Sequence, residues 1–304
     1  MFIRNNCSIC GSNKNQIIYK QNFKLLKNSS NLFWSHYHSE KKKYNYNIVK
    51  CANCSHIFSN PIFDKKNLKK LYLNSKFDNT WKEKEKTLKK NYSGYYLNIK
   101  KFLNIKNDVL EIGSDTGILT KIIYNEKFKK ITCIEPNIRS FKNLKKYIGK
   151  NKKIKFYNNF YEEISHKLKK YDNIIIIHVF DHVININDFL DRIKKNLKKN
   201  GKVHIVVHDI ESFLSKLLKK KFPPINVQHI NFFSQSSLSR LLTKHKFKVI
   251  DINKTKNIYS LKHYLESSPF NFKILNSFIK STKLSNFEIG LKLGNFMITA
   301  ELNK

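Results

Sequence analysis

Residues 107–117, Asn-Asp-Val-Leu-Glu-Ile-Gly-Ser-Asp-Thr-Gly, hold residues whose types and spacing could do chemistry. A short apolar run ends in a carboxylate, Glu111; a turn bearing Gly113 and Gly117 follows, and an amphipathic stretch opens at Ile118. Glycine serves where a backbone turns sharply or must approach a ligand closely. A carboxylate at the end of a strand can hold a ligand's amine or hydroxyls. A second apolar run, Lys130-Ile131-Thr132-Cys133-Ile134, ends in Glu135, where an acid can take both hydroxyls of a ribose. An ordinary α/β turn with fortuitous glycines would not need all of Glu111, Gly113, Gly117 and Glu135. Together they describe the strand, turn and helix of a nucleotide-binding βα unit.

The turn discriminates between cofactors. A dinucleotide fingerprint wants three glycines, so that a helix N-terminus can receive a pyrophosphate. Here the turn is Gly113-Ser114-Asp115-Thr116-Gly117, and Asp115 sets a negative charge where the pyrophosphate would lie. S-adenosylmethionine has no phosphate and carries a sulfonium and an ammonium, so acids in the turn are tolerable or useful to it. The expected cofactor is S-adenosylmethionine.

A second set of residues is Cys7-Ser-Ile-Cys10 and Cys51-Ala-Asn-Cys54. Each C-x-x-C can direct two thiolates at one tetrahedral zinc, and two such pairs close a four-cysteine site with no open position. The expected metal is therefore a structural Zn²⁺ held by Cys7, Cys10, Cys51 and Cys54. Neither pair lies on the βαβ setting of a redox motif, and a reducing cytosol disfavours disulfides. Cys133, inside the second apolar run, is expected to be plain core.

These residues need elements to position them. The chain has 304 residues, more than one typical domain, and 40% apolar content with 23 Phe and 15 Tyr, enough to bury a large core. Residues 1–61 are expected to form a zinc-binding ribbon, 62–105 a helical connector or substrate lid, and 106–304 an α/β domain. In the connector, Leu68, Leu71, Tyr72, Tyr92, Tyr95, Tyr96 and Ile99 fall at helical spacings, and the Lys-Glu run from Lys82 to Lys90 is a solvated face. From 107 onward strands and helices alternate. Strands are expected at 109–112, 131–134, 154–157, 173–177, 203–207, 247–252 and 296–301. Helices are expected from Ile118, around Ser140–Leu144, over Asn187–Asn200 with Gly201 as the stop, and after Ser234. The fold class is α/β, a seven-stranded doubly wound (Rossmann-like) sheet with a small N-terminal zinc ribbon.

Composition bounds the partners. Lys and Arg total 59 against 22 Asp and Glu, a formal charge of +37, which invites a nucleic-acid reading. Arginine, the residue of bidentate phosphate and base contacts, occurs only at Arg4, Arg139, Arg192 and Arg240. The lysines are spread over the whole chain, and abundant Asn and Ile with scarce Gly, Pro and Ala match an AT-rich coding sequence. The charge is read as a solvated surface, with weak attraction to acidic substrates such as nucleotide sugars. No window approaches the ~18–20 apolar residues of a membrane span, and Met1-Phe2-Ile3-Arg4-Asn5-Asn6-Cys7 lacks an apolar signal core. The expectation is a cytoplasmic protein with no membrane partner.

In order and spacing, these fragments resemble a branch of the class I S-adenosylmethionine-dependent methyltransferases that carries an N-terminal zinc-binding module and includes sugar C-methyltransferases. The branch often writes its turn E-I-G-S-N-D-G, against Glu111-Ile-Gly-Ser-Asp-Thr-Gly117 here. Its C-x-x-C-G-x-x-F-x-x-P is similar to Cys51-Ala-Asn-Cys-Ser-His-Ile-Phe-Ser-Asn-Pro61. Its H-V-x-E-H-V or N-V-x-A-H-V is similar to His178-Val-Phe-Asp-His-Val183, its E-H-x-x-Y-F-S to His229-Ile-Asn-Phe-Phe-Ser234, and its G-N-M-x to Gly294-Asn-Phe-Met297. The resemblance implies that Glu111 and Gly113, Ser114, Asp115, Thr116 and Gly117 hold the methionine part of the cofactor. It also implies that Glu135 takes the ribose, that Asn159 and Phe160 flank the adenine, and that His178 stands near the transferred methyl.

Methyl transfer needs an aligned nucleophile and often a base for its proton; His182 and His229 are the candidates, with imidazoles that titrate near neutrality. Sugar C-methyltransferases carry Y-x-E-H where this chain has Asn226-Val-Gln-His229, so only the histidine remains. Carbanion chemistry would want the lost tyrosine or glutamate, whereas one histidine suffices to deprotonate a hydroxyl. The reading favoured is O-methylation of a small-molecule acceptor, a sugar or sugar-like hydroxyl such as one on a nucleotide sugar or glycan precursor. Two alternatives stay open. One is an RNA or other nucleic-acid methyltransferase, against which His178-Val-Phe-Asp181 bears no likeness to the N-P-P-Y that clasps a flipped adenine. The other is a non-catalytic binding protein that keeps the fold. Asp209, just after the fifth strand, is expected as a further acid at the rim.

Overall fold

The computed structural model describes residues 1–23, 44–73, 81–128, 130–267, 284 and 287–303. In chain order the N-terminal elements are β1 (Asn15–Tyr19), β2 (Ile48–Cys51), β3 (Ile57–Ser59), α1 (Lys65–Leu73) and α2 (Trp81–Lys100). Then come β4 (Asp108–Ile112), α3 (Ile118–Asn125), β5 (Lys130–Ile134), α4 (Ile138–Ile148), β6 (Ile154–Tyr157), α5 (Tyr161–Ile164), β7 (Tyr171–Ile177), α6 (Ile186–Asn196) and β8 (Leu197–His208). The chain continues through α7 (Phe213–Leu218), β9 (Asn231–Phe232), α8 (Gln235–Lys244), β10 (Phe247–Lys254), β11 (Asn257–Ser260), α9 (Leu261–Ser267), β12 (Glu288–Leu291) and β13 (Asn295–Leu302).

Seven strands make one sheet in the order β10-β13-β8-β7-β4-β5-β6. β6, β5, β4, β7 and β8 run parallel, and β13 runs antiparallel to both β8 and β10. The parallel strands are buried on both faces, so they are apolar nearly throughout rather than alternating. On one face Leu110, Ile112, Ile174, Ile176, Val203, Ile205 and Val207 pack with Phe189, Ile193, Leu238 and Leu241 of α6 and α8. On the other face Val109, Ile131, Cys133, Ile175 and Ile177 pack with Tyr95, Tyr96 and Ile99 of α2 and with Leu119, Ile123 and Leu144. Cys133 is fully buried core, as expected.

From β4 the chain steps outward to β5 and β6, then returns to the other side of β4 for β7 and β8. The carboxyl ends of β4 and β7 therefore flank the switch point, where open α/β sheets bind ligands. The Gly113 turn leaves β4 there, and His178 ends β7 beside it.

Every expected strand of this sheet is present, with ends shifted by a residue or two except in β8. The helix expected to run to Asn200 stops at Asn196. The side chain of Asn196 is buried, accepting from Tyr161 Oη at 2.7 Å and donating to the Ser165 carbonyl at 3.0 Å. Leu197 turns extended and pairs with Tyr171, which makes β8 a strand from Leu197 to His208. The anchors that end the helix are some 30 residues away in sequence, so Gly201 is not the stop. The Ser234 cap is as expected: its side chain accepts from Ser237 N while the Ser237 side chain accepts from Ser234 N.

A second sheet has the order β1-β2-β3-β9, all antiparallel. Its fourth strand is not N-terminal. Ile57 pairs with Phe232 and Phe58 with Asn231, so residues 231–232 complete the ribbon that begins at residue 15. Of the aromatic run 44–49, Tyr46 is fully buried against Phe63, Leu68 and Val227, and only Ile48 and Val49 are in a strand. The rest of the stretch between the cysteine pairs, 24–43, lies outside the described residues.

Candidate active site

The βα turn is built as its sequence requires. Gly113 and Gly117 have φ of +78° and +87°, in the left-handed region that a β-carbon disfavours. A β-carbon on Gly113 would lie 2.2 Å from Val179 Cγ2, and one on Gly117 would lie 2.5 Å from Leu144 Cδ1. Gly113 is thus the point at which the β4 turn touches the segment leaving β7. Asp115 itself has φ +43°. Ser114 and Thr116 are buried; Ser114 Oγ donates to the Glu111 carbonyl at 3.3 Å.

Two acids converge under this turn, with Asp115 above them. Glu111, 4% exposed, accepts from Thr120 Oγ1 at 2.5 Å. Glu135, 1% exposed, accepts from the backbone N–H groups of Asp115 (2.9 Å) and Asn137 (2.8 Å). Ser140 Oγ donates to Asp115 Oδ1 at 2.9 Å. Burial, and after it the charge of Asp115, pushes both Glu111 and Glu135 up to about 8, against the hydrogen bonds that pull them down. No ion pair among the described residues reaches Glu111 or Glu135. A cationic ligand would favour the ionised form of both acids.

Tyr72 of α1 and Tyr92 of α2 lie near enough to feel these acids. Burial and the nearby charges of Glu135 and Asp115 raise the Tyr72 phenol well above its usual value; burial with Asp115 and Glu111 does the same to Tyr92. Asn137 Nδ2 donates to the Tyr72 carbonyl at 3.1 Å, fastening α1 to the β5 end. Phe160, on the loop after β6, packs on Tyr72 with ring centres 5.9 Å apart. Asn159 is half-buried on that loop, and its neighbour Asn158 ties the loop to the Glu135 and Pro136 carbonyls at 2.7 and 3.0 Å.

On the other side of the crevice four imidazoles stand in a row. Ring centres are 4.6 Å apart for His178–His208, 5.1 Å for His208–His229 and 4.5 Å for His229–His182. Hydrogen bonds fix the tautomers of His229 and His182. Asn226 Oδ1 accepts from Gln228 N (2.8 Å) and His229 N (3.3 Å), which marks that atom as the amide oxygen. His229 Nδ1, 3.1 Å from the same oxygen, must carry the proton, leaving the basic lone pair on Nε2. His182 Nδ1 donates to the Gln228 carbonyl at 2.7 Å, again leaving Nε2 basic. His208 Nδ1 lies 2.7 Å from Asn295 Oδ1, and burial holds its pKa below the usual value. His178, at φ +52°, has Tyr95 Oη and Asn295 Nδ2 each 3.4 Å from its Nε2.

The structure thus brings His178, His182 and His229 together and adds His208, Asn226, Asn295 and Tyr95, which sequence reasoning did not single out as site residues. Asp209 is not at an open rim: it is 5% exposed and accepts from Glu211 N at 2.9 Å within a turn.

The loop that carries His229 is held by the N-terminal ribbon. Ser59 N donates to the Ile230 carbonyl at 3.0 Å, and Ser59 Oγ to the His229 carbonyl at 3.3 Å. Arg4 donates to the Ile230 carbonyl at 2.9 Å and to Asn231 Oδ1 at 2.7 Å. In that ribbon the sulfurs of Cys7, Cys10, Cys51 and Cys54 all lie within 4.8 Å of one another, with Cys7–Cys54 and Cys10–Cys51 at 3.5 Å. A disulfide would need ~2.05 Å. A tetrahedral zinc with Zn–S of about 2.3 Å places its sulfurs ~3.8 Å apart, so the four thiols fit that ion.

A doubly wound sheet with an acid-lined glycine turn at its switch point is the fold of class I S-adenosylmethionine-dependent methyltransferases. The methyltransferase-domain family model matches residues 82–252, more than half of the chain, and the chain belongs to that family as a methyltransferase enzyme. A search of curated protein sequences finds no match. Among solved structures, a Burkholderia thailandensis 1,6-didemethyltoxoflavin N1-methyltransferase, holding its substrate and S-adenosylhomocysteine, aligns with a TM-score of 0.54. It is 12% identical, over 83% of this chain and 98% of that one. An S-adenosylmethionine-dependent methyltransferase from Archaeoglobus fulgidus aligns at 0.50, with 15% identity over 74% of this chain and 100% of that one. At these identities the likeness shows the fold. No helix among the described residues is long and apolar enough to cross a membrane.

Proposed function

We propose that this enzyme transfers a methyl group from S-adenosylmethionine to a hydroxyl of a small-molecule acceptor, a sugar or sugar-like compound. The observation that carries the reading is the pair of buried carboxylates, Glu111 and Glu135, with no cation among the described side chains to offset them. A cofactor with an ammonium and a sulfonium supplies that charge. Glu111 and residues 113–117 would hold its methionine end, Glu135 its ribose, and Asn159 and Phe160 its adenine. Bound there, it would present a methyl carbon on a positively charged sulfur, at the side where His178 ends β7.

The acceptor oxygen would attack that carbon while His229 Nε2 takes the hydroxyl proton; the C–S electron pair returns to sulfur. Asn226 keeps the His229 proton on Nδ1, and His182 lies next in line to receive or pass the proton. This arrangement supports oxygen rather than carbon as the nucleophile, because no acid or phenol stands at the Asn226 and Gln228 positions to manage a carbanion. The zinc-ribbon division at residues 1–61, the covering role of 62–105 and the catalytic domain 106–304 belong to the same reading.

The test reads protons. Carboxyls near pKa 8 are mostly protonated at pH 7 and ionise when a cation binds. Titration calorimetry in two buffers of different ionisation enthalpy should show S-adenosylmethionine binding with release of roughly one to two protons, and Gly113→Arg should abolish binding. No binding, or tight binding by Gly113→Arg, overturns the cofactor assignment; binding without proton release overturns the protonated state of Glu111 and Glu135. Methyl transfer to RNA but to no sugar nucleotide overturns the acceptor class.

A further inference from the structure

We propose that His178, Asp181 and His208 form a second metal site, separate from the four-cysteine cluster, that takes a divalent transition cation at the acceptor side of the crevice. Two imidazoles and a carboxylate with room for exchangeable ligands suit zinc, iron, cobalt or manganese, and differ in kind from the closed thiolate set.

One ligand atom from each of the three residues lies within 4.8 Å of the others. Ligands about 2.0–2.2 Å from one ion stand ~3–4.3 Å apart, so closure needs only small side-chain adjustments. The His178 and His208 rings are already stacked, 27° from parallel with centres 4.6 Å apart.

The second, independent observation is Asp181. It is 2% exposed, and neither carboxylate oxygen has a hydrogen-bond partner among the described residues. Buried carboxylates are normally hydrogen-bonded, paired or bound to a metal. Its backbone is spoken for, since the Asp181 carbonyl accepts from Ile230 N at 3.0 Å. The main chain is thereby fixed at Asp181, while its carboxylate has no hydrogen-bond partner among the described residues.

The far edge of His208 is anchored as a metal-binding histidine's usually is, with Nδ1 donating to an amide oxygen. Asn295 Oδ1 takes His208 Nδ1 at 2.7 Å, and Tyr95 Oη and Asn295 Nδ2 stand 3.4 Å from His178 Nε2. β7 and β8 are neighbours with Ile177 opposite Val206, so the two histidines that follow are brought together by the sheet itself.

Such a cation would stand one ring from His229, since His208 and His229 are 5.1 Å apart. Resting on the proposed methyl transfer, it would lower the proton affinity of an acceptor hydroxyl that reached it, with His229 still receiving the proton. It would favour acceptors with two adjacent oxygens, such as a vicinal diol, over those with an isolated hydroxyl.

The experiment uses the full chain with zinc in its four-cysteine site, dialysed and titrated with Co²⁺ as the probe. The expected result is one further equivalent per chain, with visible d–d bands and no thiolate charge-transfer band in the near ultraviolet. Asp181→Asn and His208→Gln should each weaken that equivalent at least about tenfold while the cysteine-site zinc is retained. Wild type holding a single equivalent in all overturns the proposal. Equal weak Co²⁺ binding by wild type and both variants marks an adventitious ion only and also overturns it. If Asp181→Asn fails to fold by circular dichroism, His208→Gln at the half-buried ring decides alone. S-adenosylhomocysteine affinity is measured in parallel: intact affinity without a second metal sinks this site and leaves the methyltransferase reading standing.

Discussion

Gly113→Ala tests whether the two lips of the crevice are one mechanical unit. The substitution places a methyl on a residue with φ +78°, 2.2 Å from Val179 Cγ2. Carbon atoms rest at 3.5–4.0 Å, so the two groups must part by about 1.5 Å. The left-handed backbone costs ~1–2 kcal/mol for a non-glycine residue, and forcing a methyl into filled space costs ~1–3 kcal/mol. The sum is a loss of about 2–5 kcal/mol. The clash is aimed at the segment holding His178 and Asp181, so the loss should fall on both folding and S-adenosylhomocysteine binding. Val179→Ala removes the offending Cγ2 and leaves only its Cβ, 3.6 Å from the new methyl. The double variant should recover roughly the ~1–3 kcal/mol steric share and keep the backbone share, a favourable coupling in a double-mutant cycle. Urea denaturation and titration calorimetry on the four proteins measure it. A Gly113→Ala protein within about 0.5 kcal/mol of wild type, or a double variant no better than Gly113→Ala, would refute the contact argument.

Two further outcomes follow from the ribbon. Stripping the zinc, or Cys51→Ser in its place, should lower kcat at least about tenfold while S-adenosylhomocysteine affinity changes less than threefold, because β9 and the His229 loop hang on β3 whereas the acid turn does not. Parallel kinetics and calorimetry check this, and equal loss of both would count against it. His56 is 1% exposed, stacked between Phe58 and Phe233 with centres 5.6 and 5.4 Å away, and neither ring nitrogen has a partner among the described residues. Burial lowers its pKa to about 3, so below its unfolded value of 6.5 the unfolded chain takes a proton that the folded chain refuses. Stability is then full above pH 6.5 and falls toward pH 3, at up to ~1.4 kcal/mol per pH unit for this group. His56→Phe should add ~1–2 kcal/mol at pH 7.5 and more at pH 5.5. Denaturation at both pH values checks it, and a gain that shrinks at the lower pH would contradict the assignment.

The acid turn was legible because its chemistry is local: two glycines at positive φ and acids at two strand ends lie within 25 residues, and the sheet follows from apolar runs of the right length. The end of α6 was not, because Tyr161 and Ser165 stop it through Asn196, and Gly201 is a more obvious local signal. β9 is two residues long and exists only because β3 needs an edge partner. His208 was missed although a signal existed: two central strands each end in histidine, Ile177-His178 and Val207-His208, and parallel neighbours in the expected strand order must set those ends side by side. Asn226 looked like the relic of a lost tyrosine. Its role as the acceptor that sets the His229 tautomer depends on backbone N–H groups that no sequence pattern displays.

The pairing of β3 with β9 gives the cysteine cluster a reason to exist in an enzyme whose chemistry lies elsewhere. The loop from Asn226 to Phe233 carries His229, the proposed base, yet it contains little regular structure of its own. Loops of that kind are mobile unless something pins them, and a base misplaced by an ångström loses much of its rate. Here the pins are Arg4, Ser59 and the β3 edge, all in a ribbon too small to hold its own shape by apolar burial. Four thiolates around one ion would supply the missing rigidity. A metal bound at the cysteines would then not be incidental to the proposed chemistry: β9, the strand the ribbon pairs with, is the joint through which its stiffness would reach His229.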